Sequence, residues 1–333
     1  MKPQTRNSVS LAGMLIFTAI TGLFSSLACA NAPLPDLAGG KMARAVDTDK
    51  VCTICHDANY TKPIFPIYQS RHGVTADSRT PRCQSCHGDS TKHQGDPTQH
   101  PDIVFGVKSG HNKNAVDAKT QADACLTCHK SGLRTHWSGS QHERRDVPCA
   151  ACHTVHAAKD PVLVRTSQPE VCFSCHKDQR AQEHRISHHP IKEGKVVCSD
   201  CHNPHGSTGP KLMAKDTVNE TCYTCHAEKR GPFLWEHAPV ADNCTNCHTP
   251  HGSTNTPLLK TRAPWLCQDC HSGDHAAALN SGANLQNGNV NTVNGVNPLA
   301  NSAAKIQMTG RACMNCHVLV HGSNHPAGSK FQR

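Results

Sequence analysis

The chain has 333 residues, of which 36% are hydrophobic and only 4% aromatic, too few to fill the interior that such a length would ordinarily enclose. Its formal charge is +9, yet 21 cysteines and 26 histidines exclude a solvated, disordered polyelectrolyte. Something other than side chains has to occupy the core.

In chain order, residues 1–30 read first as an export signal. Lys2 and Arg6 precede an uncharged apolar run over residues 11–27, and Ala28, Cys29 and Ala30 supply the small residues of a cleavage site. Cleavage after Ala30 is preferred to an uncleaved anchor, because the run is near the lower limit of about 17 residues for a span. A lipoprotein signal at Cys29 is disfavoured by Ser26, which stands where leucine is usual. No later segment is apolar enough to cross a bilayer as a helix.

Each of the twenty remaining cysteines stands in a Cys-x-x-Cys-His motif. The first five are Cys52-Cys55-His56, Cys83-Cys86-His87, Cys125-Cys128-His129, Cys149-Cys152-His153 and Cys172-Cys175-His176. The second five are Cys198-Cys201-His202, Cys222-Cys225-His226, Cys244-Cys247-His248, Cys267-Cys270-His271 and Cys313-Cys316-His317. Two thiols three positions apart on a helical turn project to one side, where each adds to a haem vinyl group, and the adjacent histidine swings under the ring to the iron. Cys₄ zinc sites and disulfides are the competing readings. Neither requires a histidine after the second cysteine, and here it follows in all ten motifs. Ten covalently attached c-type haems are therefore expected, numbered 1 to 10 in motif order, each with the motif histidine as proximal iron ligand.

The other histidines are placed in register with the motifs. Between the two motifs of successive pairs lie His72, His142, His189, His237 and His275; just after the second motif lie His93, His156, His205, His251 and His321. These ten are the distal ligand candidates. His189 is preferred to His188 because it precedes Pro190, which keeps its backbone extended, and His321 to His325 for its Gly-Ser context. His100, His111, His136 and His184 are left as non-ligands. Met308, near the last motif, is a rival axial ligand, but the chain has only six methionines. Mostly bis-histidine iron implies low potential and no open coordination position, as in a wire. A multihaem enzyme usually keeps a vacant site, often through Cys-x-x-Cys-Lys, and no such motif occurs.

An internal repeat runs through the middle of the chain. From Cys149, Cys198 and Cys244 the sequence reads Cys-x-x-Cys-His-x-x-His, then Pro-x-Leu at Pro161 and Leu163, Pro210 and Leu212, and Pro257 and Leu259, before another motif begins. The unit is a two-haem module of about 45 to 50 residues, stacked as a one-dimensional array. A histidine three positions beyond a proximal one lies on the same side of the turn, so it should ligate a neighbouring haem rather than its own. The expected fold is a multihaem cytochrome c, mostly irregular, with short α-helices, little or no sheet and an elongated haem array. Residues 88–124 and 276–312 break the rhythm and read as loops or partner-facing segments, with tolerated insertions as the plainer alternative.

Charge changes sign once cofactors are counted. Without the leader, 32 basic residues stand against 25 acidic ones, an excess that the two propionates of each haem outweigh. A nucleic-acid partner is thereby excluded, helped by the scarcity of aromatic residues for base stacking.

Several stretches resemble a known family. They are Cys222-Tyr223-Thr224-Cys225-His226-Ala227-Glu228-Lys229-Arg230-Gly231-Pro232, Leu234-Trp235-Glu236-His237-Ala238-Pro239, Leu259-Lys260-Thr261-Arg262-Ala263-Pro264 and His321-Gly322-Ser323-Asn324-His325-Pro326. With the spacing of the ten motifs, they resemble the MtrA/DmsE-type periplasmic decahaem cytochromes of outer-membrane porin-cytochrome conduits, over nearly the whole mature chain. The resemblance implies two pentahaem halves, residues 31–185 with haems 1–5 and residues 186–333 with haems 6–10. It implies a non-enzymatic electron carrier of the periplasm and outer membrane, seated in a β-barrel porin. Electrons would pass between periplasmic or inner-membrane cytochromes and an outer-surface cytochrome, a terminal reductase, or extracellular Fe(II)/Fe(III) and metal oxide. A soluble periplasmic shuttle or store, and a multihaem oxidoreductase, are the alternative classes.

Overall fold

The computed structural model describes residues 49–57, 60–74, 79–271 and 312–332. The export signal, His275, Met308 and nearly all of the 276–312 stretch lie outside the described residues.

Within them the regular structure is short. The longest helix, Ala118–Leu126, has nine residues, and most others are single turns, well below the length at which an isolated helix holds itself together. No strand occurs among the described residues, only isolated antiparallel bridges such as Ser187 with Ser253 and Trp235 with Ser323. No helix there is long and apolar enough to cross a membrane.

The haem motifs are themselves the recurring turns. The proximal histidine N–H donates to the carbonyl of the first cysteine four residues back, at 3.0 Å from His56 to Cys52, 2.9 Å from His202 to Cys198 and 2.9 Å from His317 to Cys313. One α-turn therefore carries both thiols and the imidazole.

Apolar side chains contribute little to the interior. Tyr68, Ala115, Ala122, Trp137, Phe173 and Val197 are the buried hydrophobic residues among those described, whereas Ile186 and Leu234 are each 77% exposed. Side-chain amides tie the short pieces together instead. Gln121, 1% exposed, accepts from the Gly106 N–H and donates to the Gly106 and Val116 carbonyls. Gln168 accepts from Ser199 N–H, and Asn219 accepts from Cys244 N–H while donating to Val240 and Ala241. Each amide stands three or four residues before the first cysteine of an odd-numbered motif. The latter two join that motif's helix to the next motif.

The 88–124 stretch is more than a free loop. Asp102 accepts from Ser90 N–H, Ile103 carbonyl accepts from the His87 ring, and Asp117 caps the Ala118–Leu126 helix through Thr120 N–H. The polar composition that reads as a loop instead supplies local hydrogen bonds that fold the segment back on the second motif.

Candidate haem-binding site

The thiols meet in chain order. Within each motif pair the two first cysteines are hydrogen-bonded neighbours: Cys52 with Cys83, Cys125 with Cys149, Cys172 with Cys198, Cys222 with Cys244 and Cys267 with Cys313. Between pairs the second cysteines approach, as Cys86 does Cys128, Cys152 does Cys175 and Cys247 does Cys270, while Cys201 approaches Cys222 and Cys225. In the free thiol form the shared hydrogen bond pushes Cys125 up and draws Cys149 down to about 7. Thioether formation would remove these titrations and leave the proximity, so successive motifs are neighbours from motif 1 to motif 10.

The imidazoles meet as well. Ring centroids stand 5.9 Å apart for His56 with His93 and for His72 with His129. They stand 6.0 Å apart for His87 with His156, 6.2 Å for His142 with His176 and 6.0 Å for His153 with His205. The series continues at 6.4 Å for His189 with His226, 6.0 Å for His202 with His251, 6.1 Å for His237 with His271 and 6.1 Å for His248 with His321. An iron ion held by two imidazoles, each nitrogen about 2 Å from the metal and about 1.2 Å from its own ring centre, sets the centroids about 6.4 Å apart. Nine proximal histidines thus face a distal candidate across a gap of the right width.

The pairing has a direction. His156, His205 and His251 each face the proximal histidine of the preceding module and none faces that of its own motif; His321 does the same for His248. His142, His189 and His237 reach forward to His176, His226 and His271. His189, not His188, faces His226; His188 donates from Nδ1 to the Arg185 carbonyl at 2.6 Å. His325 uses its Nδ1 to accept from Ala327 N–H, and His184 Nδ1 meets Lys192 Nζ.

Tautomers are fixed by the other ring nitrogen. A carbonyl only accepts, so Nδ1 must donate, which leaves Nε2 with its lone pair for a metal. His142, His189 and His237 donate to the carbonyls of Pro204, Pro250 and Val320 at 2.8, 2.9 and 3.0 Å. Those carbonyls belong to the residues just before His205, His251 and His321, so the distal ligand candidates are stitched to one another. His202 and His248 donate to Lys211 and Pro257 carbonyls, both at 3.0 Å, which gives the Pro-x-Leu repeat a role in aiming the proximal ring.

Burial favours the neutral ring at several of the distal candidates. Burial, then neighbouring His153, Arg134 and His142, depress His205 to about 4. Burial likewise lowers His156, His251 and His321, favouring the unprotonated form that binds metal.

The residues also fit the periphery of a haem. Buried donors without partners remain at Arg134 Nε, Trp137 Nε1 and His205 Nδ1, around one site and in want of an acceptor such as a propionate. Sequence patterning does not reveal these donors, nor the tethering carbonyls, since any residue has a carbonyl.

Ring planes divide the sites. At sites 2, 4, 6, 8 and 9 they lie within 26°, 12°, 18°, 12° and 23° of parallel. At sites 1, 3, 5 and 7 they cross at 43°, 62°, 78° and 50°. Low-temperature EPR of the oxidised protein should therefore show two low-spin families, rhombic signals from near-parallel rings and strongly anisotropic ones from crossed rings. A single uniform family, or a stoichiometric high-spin signal, would contradict this geometry.

Comparison with known proteins agrees with the chemistry. The family described as "Doubled CXXCH motif" matches residues 142–181, 188–231 and 237–276. "Cytochrome c-type protein NrfB" of Haemophilus influenzae is 24% identical over 155 residues, covering 41% of this chain and 68% of its own length. "Multiheme cytochrome MtrA" of Shewanella baltica is 46% identical over 286 residues, covering 85% of this chain and 80% of its own length. Identity of that order, across that much of both proteins, means that this chain belongs to the MtrA family of multihaem c-type cytochromes and carries covalent haem for electron transport.

Proposed function

We propose that the chain is an electron wire, not an enzyme, and that it carries ten haems from the periplasm across the outer membrane inside a β-barrel porin. The observation that carries this reading is the run of imidazole pairs about 6 Å apart at sites 1 to 9, joined by cysteines that neighbour one another in chain order. Bound haem would supply one-electron exchange at iron. The chain's part is to hold successive rings close and to occupy both axial positions. Two pentahaem halves, residues 31–185 and 186–333, remain the expected division of the array.

Polarity supports a sheath for a chain that works across a bilayer. No described helix can span a bilayer, and an irregular backbone with open polar groups is not tolerated against lipid. A closed barrel with a polar lumen meets both conditions. A haem is about as wide as a helix, ~10 Å, so ten in series could exceed the ~30 Å hydrocarbon core. Periplasmic or inner-membrane cytochromes would exchange electrons at one end, and an outer-surface cytochrome, a terminal reductase or an extracellular metal substrate at the other.

Liposomes loaded with a reducible dye test the proposal. Dye should respond to an external reductant only when cytochrome and barrel are both present. Equal transfer by the cytochrome alone would remove the barrel from the reading. No transfer with the cognate barrel would favour a soluble shuttle.

A further inference from the structure

One site along the array is held differently from its repeats. In the third and fourth motif pairs the even-numbered proximal histidines, His202 and His248, donate to backbone carbonyls, as His87 does to Ile103 in the first pair. His153 donates instead to a carboxylate, with Nδ1 2.6 Å from Asp160 Oδ2. The two side chains are only 29% and 14% exposed. Asp160 occupies the position before the Pro-x-Leu proline, where the following modules have Gly209 and Thr256. Its second oxygen accepts from Thr154 N–H at 3.1 Å and faces Val162 N–H at 3.4 Å, so the carboxylate is aimed from both sides.

We propose that Asp160 is a tuning residue, which lowers the potential of haem site 4 by drawing the His153 Nδ1 proton into a short hydrogen bond to a full negative charge. This rests on His153 and His205 being the axial pair of that site. A carboxylate acceptor gives the imidazole imidazolate character and strengthens its donation to ferric iron. The partly buried charge also opposes the arrival of an electron, so both effects act in the same direction. Arg134, near His205, acts oppositely, but is present in every variant below and cancels from the comparison. The array therefore has an uneven potential profile with a local rise in energy for an electron at its fourth site.

The test is redox titration of the full holoprotein, followed by optical spectroscopy and by EPR of the rhombic signals. Asp160→Asn keeps an acceptor and removes the charge. It should leave haem content and low-spin state unchanged and shift one one-electron step upward about tenfold in its reduction equilibrium, about 59 mV for one electron. Asp160→Glu retains the charge and should restore the parent step. An unmoved titration curve in Asp160→Asn overturns the proposal, as does an equal upward shift in Asp160→Glu. His205→Met, titrated in parallel, separates this from the ligand reading. If it moves one step while Asp160→Asn moves none, the axial pair stands and the tuning role falls; if neither moves a step, both fall.

Discussion

Replacing Gly206 with valine should leave haem site 4 without its second imidazole, turning one low-spin iron high-spin while the other sites stay reducible. Gly206 has φ of 110°, and a Cβ there would stand 2.0 Å from the His136 carbonyl oxygen. A non-glycine residue at such φ costs about 1–3 kcal/mol before any overlap is counted. The overlap cannot be relieved by turning a side chain, because the obstacle is backbone. The segment must back away, and His205 is the adjacent residue. Gly95→Ala is the control, since its Cβ would meet nothing within 4 Å. Spin-state spectroscopy with carbon monoxide binding reads the result. A Gly206→Val protein that stays fully low-spin would show that His205 is not the axial partner of His153.

His251→Met should act on energy rather than occupancy. The ring of His251 stands 6.0 Å from that of His202, 18° from parallel, in a half-buried position whose lowered basicity matches metal binding. Thioether ligation raises haem potential, and a rise of about 120 mV corresponds to two decades at 59 mV each for one electron. A site so stabilised in mid-array is a trap, since the next hop becomes uphill by that amount. Trans-array transfer in liposomes should slow on the order of 100-fold, and one step of the redox titration should separate upward from the others. An unchanged titration would remove His251 from the ligand set.

What could be read from sequence follows from where the constraint lies. The motif turns are legible because covalent attachment demands two cysteines and a histidine at fixed spacing, and the backbone obliges with one α-turn. The register of His142, His189 and His237 is legible for the same reason. Which ring meets which is not. His93 faces His56 inside its own module whereas His156 faces His87 in the module before, although both follow the second motif of their pair. That choice depends on the path of the chain in space. The Pro204, Pro250 and Val320 acceptors are invisible because every residue offers a carbonyl. Asp160 leaves a trace, as the one acidic residue in a register otherwise filled by Gly209 and Thr256. Residues 88–124 read only as a polar break in the rhythm, because the internal use of Gln121 and Asp102 depends on backbone partners that no side-chain pattern marks.

The offset pairing bears on how such a chain grows. Each internal module lends a histidine to the module before it and borrows one from the module after it, while the tethers from His142, His189 and His237 repeat the same forward step. A unit spliced in frame between two others would find both debts already matched, whereas a cut inside the series would strand a donor on one side and a vacancy on the other. Duplication of whole modules is therefore the tolerated route to a longer array, and the length of the wire is set by copy number rather than by stretching any one unit.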